Sequence, residues 1–247
     1  MLHLSENQLS KLADPNALIK AIEKSILIYD TGQYNMPLRL HMESDQNTHL
    51  IMPALTKDGY LVKLVNVYPE NKAALKPVIQ GIATLFDGAS GSPIATFDGA
   101  ALTAYRTAAV VACSVKYLSD SNARSIGLVG LGVQATHALE MIQAIRPIQR
   151  IHLFDYNPIQ TSLFSKQVGN DLEVSSFNEV DQLIEKSDII LTSTNSHNPV
   201  LSDNYEVYKN QFICAIGSYK PKMQELNDVI FSQLDSLYCD TFDGLKE

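Results

Sequence analysis

The sequence has little cysteine and comparatively few basic residues, and both shortages narrow the class of protein. Three cysteines occur in 247 residues, and Cys113, Cys214 and Cys239 are too far apart for a disulfide framework or a metal-ligand spacing. We therefore expect buried or idle thiols in a reducing compartment. Acidic residues outnumber basic ones by 27 to 19, which gives a formal net charge of −8. This balance argues against a general nucleic-acid binder, which needs a basic face.

Long apolar runs and export signals are also missing. No apolar stretch reaches membrane length, because Arg106 interrupts the longest candidate. The first residues, Met1 to Glu6, lack the basic and then apolar pattern of a signal peptide. Hydrophobic residues make up 45% of the chain and charged residues 19%, which is typical of a globular protein. The sequence therefore predicts a cytoplasmic protein that binds neither membranes nor nucleic acid.

The pattern of the sequence changes near Ser119, and this change indicates two domains. Residues 1–118 contain a helix after Pro15, then short apolar runs separated by turn residues, and finally a long alanine-rich helix. The short runs predict a largely antiparallel sheet. Residues 119–247 alternate apolar strands with helical stretches and include a last strand at Ser236–Asp240, a pattern that favours a parallel sheet. The predicted fold class is α/β, with an N-terminal α+β domain before a Rossmann-type doubly wound domain.

A glycine-rich turn opens the second domain. The predicted strand Ser125–Val129 runs directly into this turn, and a helix follows it. The strand, turn and helix together form a dinucleotide-binding fingerprint with alanine at its third position. The first glycine permits the tight turn, the second lets the backbone approach a pyrophosphate, and the alanine keeps the helix close to the strand. The predicted cofactor-binding residues of the turn are Gly130, Gly132, Val133, Gln134 and Ala135.

An acidic residue follows at the distance that this fingerprint requires. Asp155 ends the next predicted strand, where a carboxylate accepts hydrogen bonds from the adenine-side ribose. The same carboxylate repels a 2′-phosphate, so the sequence favours NAD(H) as cofactor. NADP(H) stays open as an alternative, because neighbouring residues can still admit a phosphate.

Four segments together resemble the ornithine cyclodeaminase/mu-crystallin family. They are Leu102–Ala109, the Gly130–Ala135 turn with His137, Thr192–Asn195, and Gly217–Pro221 with Glu225 and Leu226. Their order and spacing resemble the family over nearly the whole chain. The resemblance implies a substrate-binding and dimerisation domain at the N-terminus, a Rossmann domain after it, and a homodimer. It also implies NAD(P)-dependent chemistry on small α-amino or α-imino acids.

The resemblance further implies that Arg39, Lys63 and Arg106 bind the carboxylate of an anionic substrate. A guanidinium can hold a carboxylate through two parallel hydrogen bonds. Arg106 lies in an alanine-rich helix, where an unpaired charge is costly, so we expect it to be turned away from bulk solvent. Lys63 alternates with apolar residues on its strand and is expected to point inward. Two roles stay open for Lys63: proton donor to the substrate nitrogen, or third anchor for the carboxylate.

Three hydroxyl residues complete the candidate site. Thr107, Thr194 and Ser218 each lie at a loop or helix edge, and we predict that they contact the cofactor. For any one of them taken alone, a hydrogen bond to the local backbone is the commoner role.

Two positions depart from the cyclodeaminases of the family. Tyr219 stands in place of an aspartate associated with ring closure, and Leu50 in place of a glutamate for the distal amine. The sequence therefore more closely resembles the branch that reduces Δ1-pyrroline-2-carboxylate and Δ1-piperideine-2-carboxylate to L-proline and L-pipecolate. The alternatives are an ornithine cyclodeaminase, an alanine dehydrogenase-like enzyme, and a non-catalytic crystallin-like cofactor-binding protein. Family members extend further at the C-terminus, so we expect either a fragment or dispensable last elements.

Overall fold

The computed structural model describes residues 1–168, 172–220 and 222–241. The chain divides into two compact units, Met1–Arg106 and the residues from Thr107 onwards. The division falls inside the long helix α3 (Gly99–Leu118), whereas the sequence placed a boundary in the polar loop that follows this helix. The separate functions assigned to the two predicted domains stay a prediction.

The first unit is built on a mostly antiparallel sheet of seven strands. Its strands are β1 (Leu2–Leu4), β2 (Tyr34–Asn35), β3 (Leu40–Ser44), β4 (Asn47–Thr56), β5 (Gly59–Val67), β6 (Ile79–Asp87) and β7 (Pro93–Asp98). Its first two helices are α1 (Glu6–Leu12) and α2 (Pro15–Asp30). The strand order is β1-β7-β6-β5-β4-β2, with β3 paired to β4. The predicted antiparallel sheet is confirmed. The sequence pattern missed the short β1, which lies parallel to β7, and the two-residue β2.

Side chains at the ends of these elements explain where they start and turn. The Asp14 carboxylate accepts a hydrogen bond from the backbone N–H of Ala17 at 2.8 Å, and Pro15 takes the first position of α2. Asp87 accepts from the backbone N–H and the hydroxyl of Ser90, both at 2.7 Å, in the turn between β6 and β7. The helix predicted after Pro15 is confirmed.

One face of the first sheet carries the lysine predicted to bind substrate. Directly paired residues point to the same face of a sheet. Lys63 in β5 pairs with Ala83 in β6, and Val65, two residues later, pairs with Leu50 in β4. These three apolar neighbours are all buried. Lys63 therefore lies on the buried face, as the alternation in its strand predicted.

Helix α3 begins in close contact with this sheet. Asp98 caps the helix, because its Oδ1 accepts from the backbone N–H groups of Ala100 and Ala101 at 3.0 and 2.9 Å. A Cβ atom at Gly99 would lie 2.6 Å from the carbonyl carbon of Gly81 in β6. Only glycine permits that approach, which brings the first turns of α3 beside β5 and β6.

The described part of the second unit is a parallel sheet with four further α-helices. Its strands are β8 (Ser125–Val129), β9 (Arg150–Phe154), β10 (Glu173–Ser176), β11 (Ile189–Thr192) and β12 (Phe212–Ala215). Its helices are α4 (Val133–Gln143), α5 (Pro158–Gln167), α6 (Val180–Lys186) and α7 (Asp228–Gln233). The strand order is β10-β9-β8-β11-β12. The order reverses between β8 and β11, which is the switch point where doubly wound sheets bind ligands. The α/β fold class is confirmed.

The strand predicted at Ser236–Asp240 is wrong. These residues lie exposed after α7 and form no strand in the part of the chain that the structure describes. An apolar run becomes a strand only where a neighbouring strand can satisfy its backbone hydrogen bonds. The composition of this run favours a strand, but no neighbouring strand is available to pair with it among the described residues.

The structure bears on two features noted in the sequence, the three cysteines and the length of the apolar helices. All three cysteines are free; Cys113 is buried, Cys214 half-buried and Cys239 exposed. Among the described helices, none combines the length and the apolar character that crossing a bilayer requires.

The core of the second unit leaves no room beside its central strand. All five residues of β8 are buried. A Cβ atom at Gly127 would collide with the Leu183 side chain of α6 and would lie 2.6 Å from Ser187 Oγ. The glycine therefore sets how closely α6 packs on the sheet.

We predict that Gly127→Ala lowers the free energy of unfolding by about 1–3 kcal/mol, because the added methyl group overpacks this contact. Urea unfolding followed by circular dichroism measures the change. Gly132→Ala is the comparison variant, since a Cβ there meets nothing within 4 Å. Gly132 is the N-cap residue of α4, where alanine is less favourable than glycine, so a smaller loss of up to about 1 kcal/mol is expected. Equal unfolding midpoints for the two variants would contradict the packing argument.

Candidate functional site

Three cations of the first unit interact electrostatically. The pKa of Lys63 is lowered from 10.5 to about 8, chiefly by burial and then by the positive charges of Arg106 and Arg39. The structure therefore brings together the three residues for which the family resemblance implied carboxylate binding. Their binding of a substrate stays a prediction.

Different elements supply these cations. Lys63 projects from β5 and its Nζ donates a hydrogen bond to Thr103 Oγ1 at 3.3 Å. Arg106 follows Thr103 by three residues in α3, and such residues are neighbours on a helix surface. Arg39 immediately precedes β3 and is half-buried. A helix, a strand and a strand entry thus converge on one small positive region.

Arg106 corrects one expectation. It is exposed, whereas its setting in an alanine-rich helix predicted that it would be turned away from solvent. Ala104 and Ala108 belong to the buried stripe of α3, and Arg106 falls outside that stripe. Because Arg106 is exposed, the cost of burying its charge is no evidence that it binds a substrate. The supporting observation is its electrostatic effect on Lys63, and an exposed guanidinium is accessible to an anionic ligand.

Leu50 gives this region an apolar edge. It is 8% exposed and pairs with Val65, on the same sheet face as Lys63. An aliphatic side chain here offers no acceptor for a second amino group. The local chemistry therefore suits a substrate with one carboxylate better than a diamino acid.

The glycine turn has the shape that a pyrophosphate needs. Gly130 has a φ of +85°, and a Cβ on it would lie 2.7 Å from Thr194 Cγ2, so the position requires glycine. Gly132 is the N-cap residue of α4, and the space beside its Cα is open. Ala135 is fully buried between helix and strand. These residues fit a dinucleotide whose phosphates approach the backbone at the helix N-terminus.

The first turn of α4 supplies two further candidates. Val133 and Gln134 lie where backbone N–H groups have no carbonyl partner within the helix. Val133 is 67% exposed. Gln134 Oε1 is buried and has no hydrogen-bond partner among the described residues. A buried polar atom without a partner is costly, and a ligand bound at this turn would offset that cost.

Asp155 has a task that the sequence did not predict. Its Oδ2 accepts a hydrogen bond from the backbone N–H of Leu131 at 2.9 Å, and its Oδ1 accepts from that of Asn157 at 2.8 Å. Asp155 therefore fixes the glycine turn. Each carboxylate oxygen can accept more than one hydrogen bond, so the predicted contact with a ribose hydroxyl is compatible with this role.

The loops after β11 and β12 are joined by an acidic residue that sequence reasoning missed. Glu225 Oε1 accepts from the backbone N–H and the hydroxyl of Thr194 at 2.6 and 2.8 Å. Its Oε2 accepts from the backbone N–H of Gly217 at 2.7 Å. The sequence offered only a family-like segment around Glu225 as a signal. Contacts 31 and 8 residues away cannot be inferred from spacing.

The other predicted cofactor residues are less closely defined. Thr107 is half-buried in α3, and Ser218 is exposed after β12, in a loop without regular structure. In the adjacent Tyr219, burial raises the pKa of the phenol, so this side chain is neutral and cannot replace a carboxylate. Pro221, which belongs to the same sequence motif, lies outside the described residues.

The fold and the glycine turn define the class of protein as a dinucleotide-binding protein of the Rossmann type, with a second, cation-bearing unit. A profile of the ornithine cyclodeaminase/mu-crystallin family matches residues 2–244. The chain belongs to this family, and the prediction made from the four sequence segments is confirmed.

Named relatives cover most of the chain. A Δ1-pyrroline-2-carboxylate reductase of Bacillus cereus is 32% identical over 232 residues, which are 92% of this chain and 71% of the relative. The solved structure of the Thermococcus litoralis Δ1-pyrroline-2-carboxylate reductase with NADH and L-proline is 29% identical, with a TM-score of 0.86 over 93% of this chain and 72% of that one. An archaeal alanine dehydrogenase dimer with bound NAD is 26% identical, with a TM-score of 0.88 over 94% and 72%.

We predict that the charge of Lys63 makes stability depend on pH. Between about pH 8 and its ordinary pKa of 10.5, the unfolded chain binds more protons than the folded one, so the wild type gains stability as the pH rises. Lys63→Met lacks this gain. Its stability relative to the wild type is therefore expected to be highest below pH 8 and to decline as the pH increases, measured by urea unfolding.

The control is Lys63→Arg, which stays charged throughout this range and should not gain stability with pH at that position. A difference between Lys63→Met and the wild type that is constant with pH would contradict the lowered pKa.

Proposed function

We propose that this protein reduces a cyclic imino acid with NADH. The substrate is Δ1-pyrroline-2-carboxylate or Δ1-piperideine-2-carboxylate, and the product is L-proline or L-pipecolate. The observation that carries the proposal is a lysine of lowered pKa beside two arginines, in a chain that also has a dinucleotide-binding turn. The relatives named above support it, since they include reductases of this substrate and one of these is bound to NADH and L-proline.

The two arginines bind the substrate carboxylate in this proposal. Arg39 and Arg106 present guanidinium groups that can each form paired hydrogen bonds with a carboxylate. Two such contacts fix the position of the imine and determine which face of its C=N bond is open. Positioning of this kind supplies a large part of the rate of a two-substrate reaction.

Lys63 is the proposed proton donor. With a pKa of about 8, its ammonium group is mostly protonated at neutral pH, and the neighbouring positive charges favour release of the proton. When bound, NADH supplies a hydride to the carbon of the C=N bond. The proton from Lys63 goes to the nitrogen, so that imine, hydride and proton give the secondary amine. The alternative role of Lys63, a third carboxylate anchor, is kept as an outcome of the experiment below.

NAD(H) is the cofactor that this proposal favours. Asp155 holds the glycine turn and follows β9, the strand on the adenine side of such a site. A carboxylate at this place disfavours a 2′-phosphate. The neighbouring solved structures contain NADH or NAD, and NADP(H) stays the alternative cofactor.

A homodimer is the proposed assembly. The face of the first sheet opposite Lys63 exposes apolar side chains: Leu40 is 59% exposed, Leu64 42% and Ile82 41%. Leu64 and Ile82 are direct cross-strand partners, so they form a continuous apolar surface. Surfaces of this kind mark sites of protein association. The alanine dehydrogenase neighbour is a dimer, which supports a second copy as the partner. The cytoplasmic location stays a prediction.

A second candidate function is alanine dehydrogenation, favoured by the similarity to the archaeal alanine dehydrogenase. The reverse reaction would join pyruvate and ammonium and consume NADH. Ornithine cyclodeamination is disfavoured, because Leu50 and the neutral Tyr219 provide no carboxylate for a diamino acid.

The test is oxidation of NADH and NADPH with five- and six-membered cyclic imino acids, and with pyruvate plus ammonium. We expect turnover of the cyclic imines without ammonium. Lys63→Met is expected to lower kcat by about 100-fold or more with little change in KM, if Lys63 is the proton donor. Lys57→Met, at an exposed turn, is the control and should retain the wild-type rate.

The other outcomes are equally informative. A raised KM with an unchanged kcat in Lys63→Met would assign the lysine as a carboxylate anchor. Turnover that requires ammonium and pyruvate would favour the alanine dehydrogenase function. Strong release of ammonia from L-ornithine with NAD would overturn the proposed reaction.

A further inference from the structure

Glu225 is the single buried acidic side chain in the part of the chain that the structure describes, with an exposed fraction of 2%. Burying a carboxylate is costly unless hydrogen bonds compensate. Three donors do so here, and all are neutral: two backbone N–H groups and one hydroxyl. The buried carboxylate therefore fixes the positions of the three groups that donate hydrogen bonds to it.

The groups held by Glu225 lie at the carboxyl ends of two neighbouring strands. Thr194 follows β11 and Gly217 follows β12. A Cβ atom at Gly217 would collide with the Thr194 backbone and would lie 2.5 Å from Glu225 Oε1. The two loops and the carboxylate are therefore packed without free space, and each oxygen of Glu225 faces one loop.

The loop after β11, which contains Ser193 and Thr194, contacts the glycine turn. Ser193 Oγ donates a hydrogen bond to the carbonyl of Gly130 at 2.8 Å, and the Cα of Gly130 lies directly against Thr194. A chain of contacts thus connects Glu225, through Thr194 and Ser193, to the predicted pyrophosphate site.

The topology assigns these loops to one half of a dinucleotide. In a doubly wound sheet the cofactor lies across the switch point, with one mononucleotide on each side. Asp155 follows β9 and marks the adenine side. The loops after β11 and β12 lie on the other side of β8, where the nicotinamide mononucleotide belongs.

We infer that Glu225 is a positioning residue for the nicotinamide half of the cofactor, an inference that rests on the proposed function. It acts through Thr194 and Gly217 and does not touch the cofactor itself. By accepting from both loops it sets the distance between them, and hence the surface against which the nicotinamide half is placed.

Glu225→Gln tests this geometry with almost no change in size. An amide has one acceptor oxygen, and its NH₂ group would face a backbone N–H where Oε2 now accepts. One loop then loses its partner and two donors oppose each other. The expected result is an NADH dissociation constant raised by about tenfold, with the dissociation constant of ADP-ribose, which lacks nicotinamide, within about twofold of the wild type. Calorimetric titration measures both ligands.

Asp188 provides a matched control. Its Oδ2 also accepts from three neutral donors, the N–H of Arg124 and the N–H and hydroxyl of Ser125, at 2.8, 2.9 and 2.8 Å. These contacts lie where β8 begins, at the amino ends of the strands of the same sheet, opposite the carboxyl ends where Glu225 lies. Asp188→Asn is therefore expected to lower the unfolding temperature and to leave the affinities for NADH and ADP-ribose unchanged.

The outcomes separate this inference from the function on which it rests. Equal NADH affinity in Glu225→Gln and the wild type would overturn the inference, and so would an equal loss of NADH and ADP-ribose binding. A wild type that binds neither ligand would overturn the proposed function. If Glu225→Gln does not fold, Glu225→Asp retains both oxygens on a shorter side chain, and the same selective loss of NADH is expected.

Discussion

The repulsion among Arg39, Lys63 and Arg106 is the interaction on which the functional account depends. Burial lowers the pKa of Lys63 most, and the positive charges of Arg106 and Arg39 lower it further. Repulsion among like charges does not stabilise a fold. The close approach of Gly99 to β6 sets the start of α3 against the sheet that carries Lys63. An anion bound among the three cations would relieve this repulsion. We therefore propose that a small carboxylate binds among these cations.

In the second unit, by contrast, charged side chains form favourable contacts: three carboxylates accept hydrogen bonds from the backbone. Asp155, Asp188 and Glu225 each accept hydrogen bonds from backbone N–H groups where strands begin or end. Each one fixes a loop that regular sheet pairing leaves without partners. Asp155 and Glu225 act at the carboxyl ends of the strands, where a doubly wound sheet binds its ligand. The position of the glycine turn and the spacing of the neighbouring loops thus depend on these two carboxylates.

Much of this could be predicted from the sequence because it is local. The strand before Gly130, the glycine turn and α4 follow from consecutive residues, and the structure reproduces them closely. Non-local features could not be predicted in the same way. The exposure of Arg106 depends on which face α3 turns to the sheet, and the role of Glu225 depends on loops distant in sequence. The apolar run at Ser236–Asp240 had a strand-like composition, but no neighbouring strand pairs with it among the described residues.

The most direct test of the account measures the pKa of Lys63 with and without a bound carboxylate. Carbon-13 NMR of isotopically labelled lysine, with the Lys63 signal assigned by its loss in Lys63→Arg, follows the titration of this amine. Pyrrole-2-carboxylate is a suitable probe, because it is a planar five-membered ring with one carboxylate and no basic nitrogen. The account predicts a pKa of about 8 in the free protein and a clear increase when the anion binds. A pKa that the anion leaves unchanged would contradict the central claim that these cations form a carboxylate site.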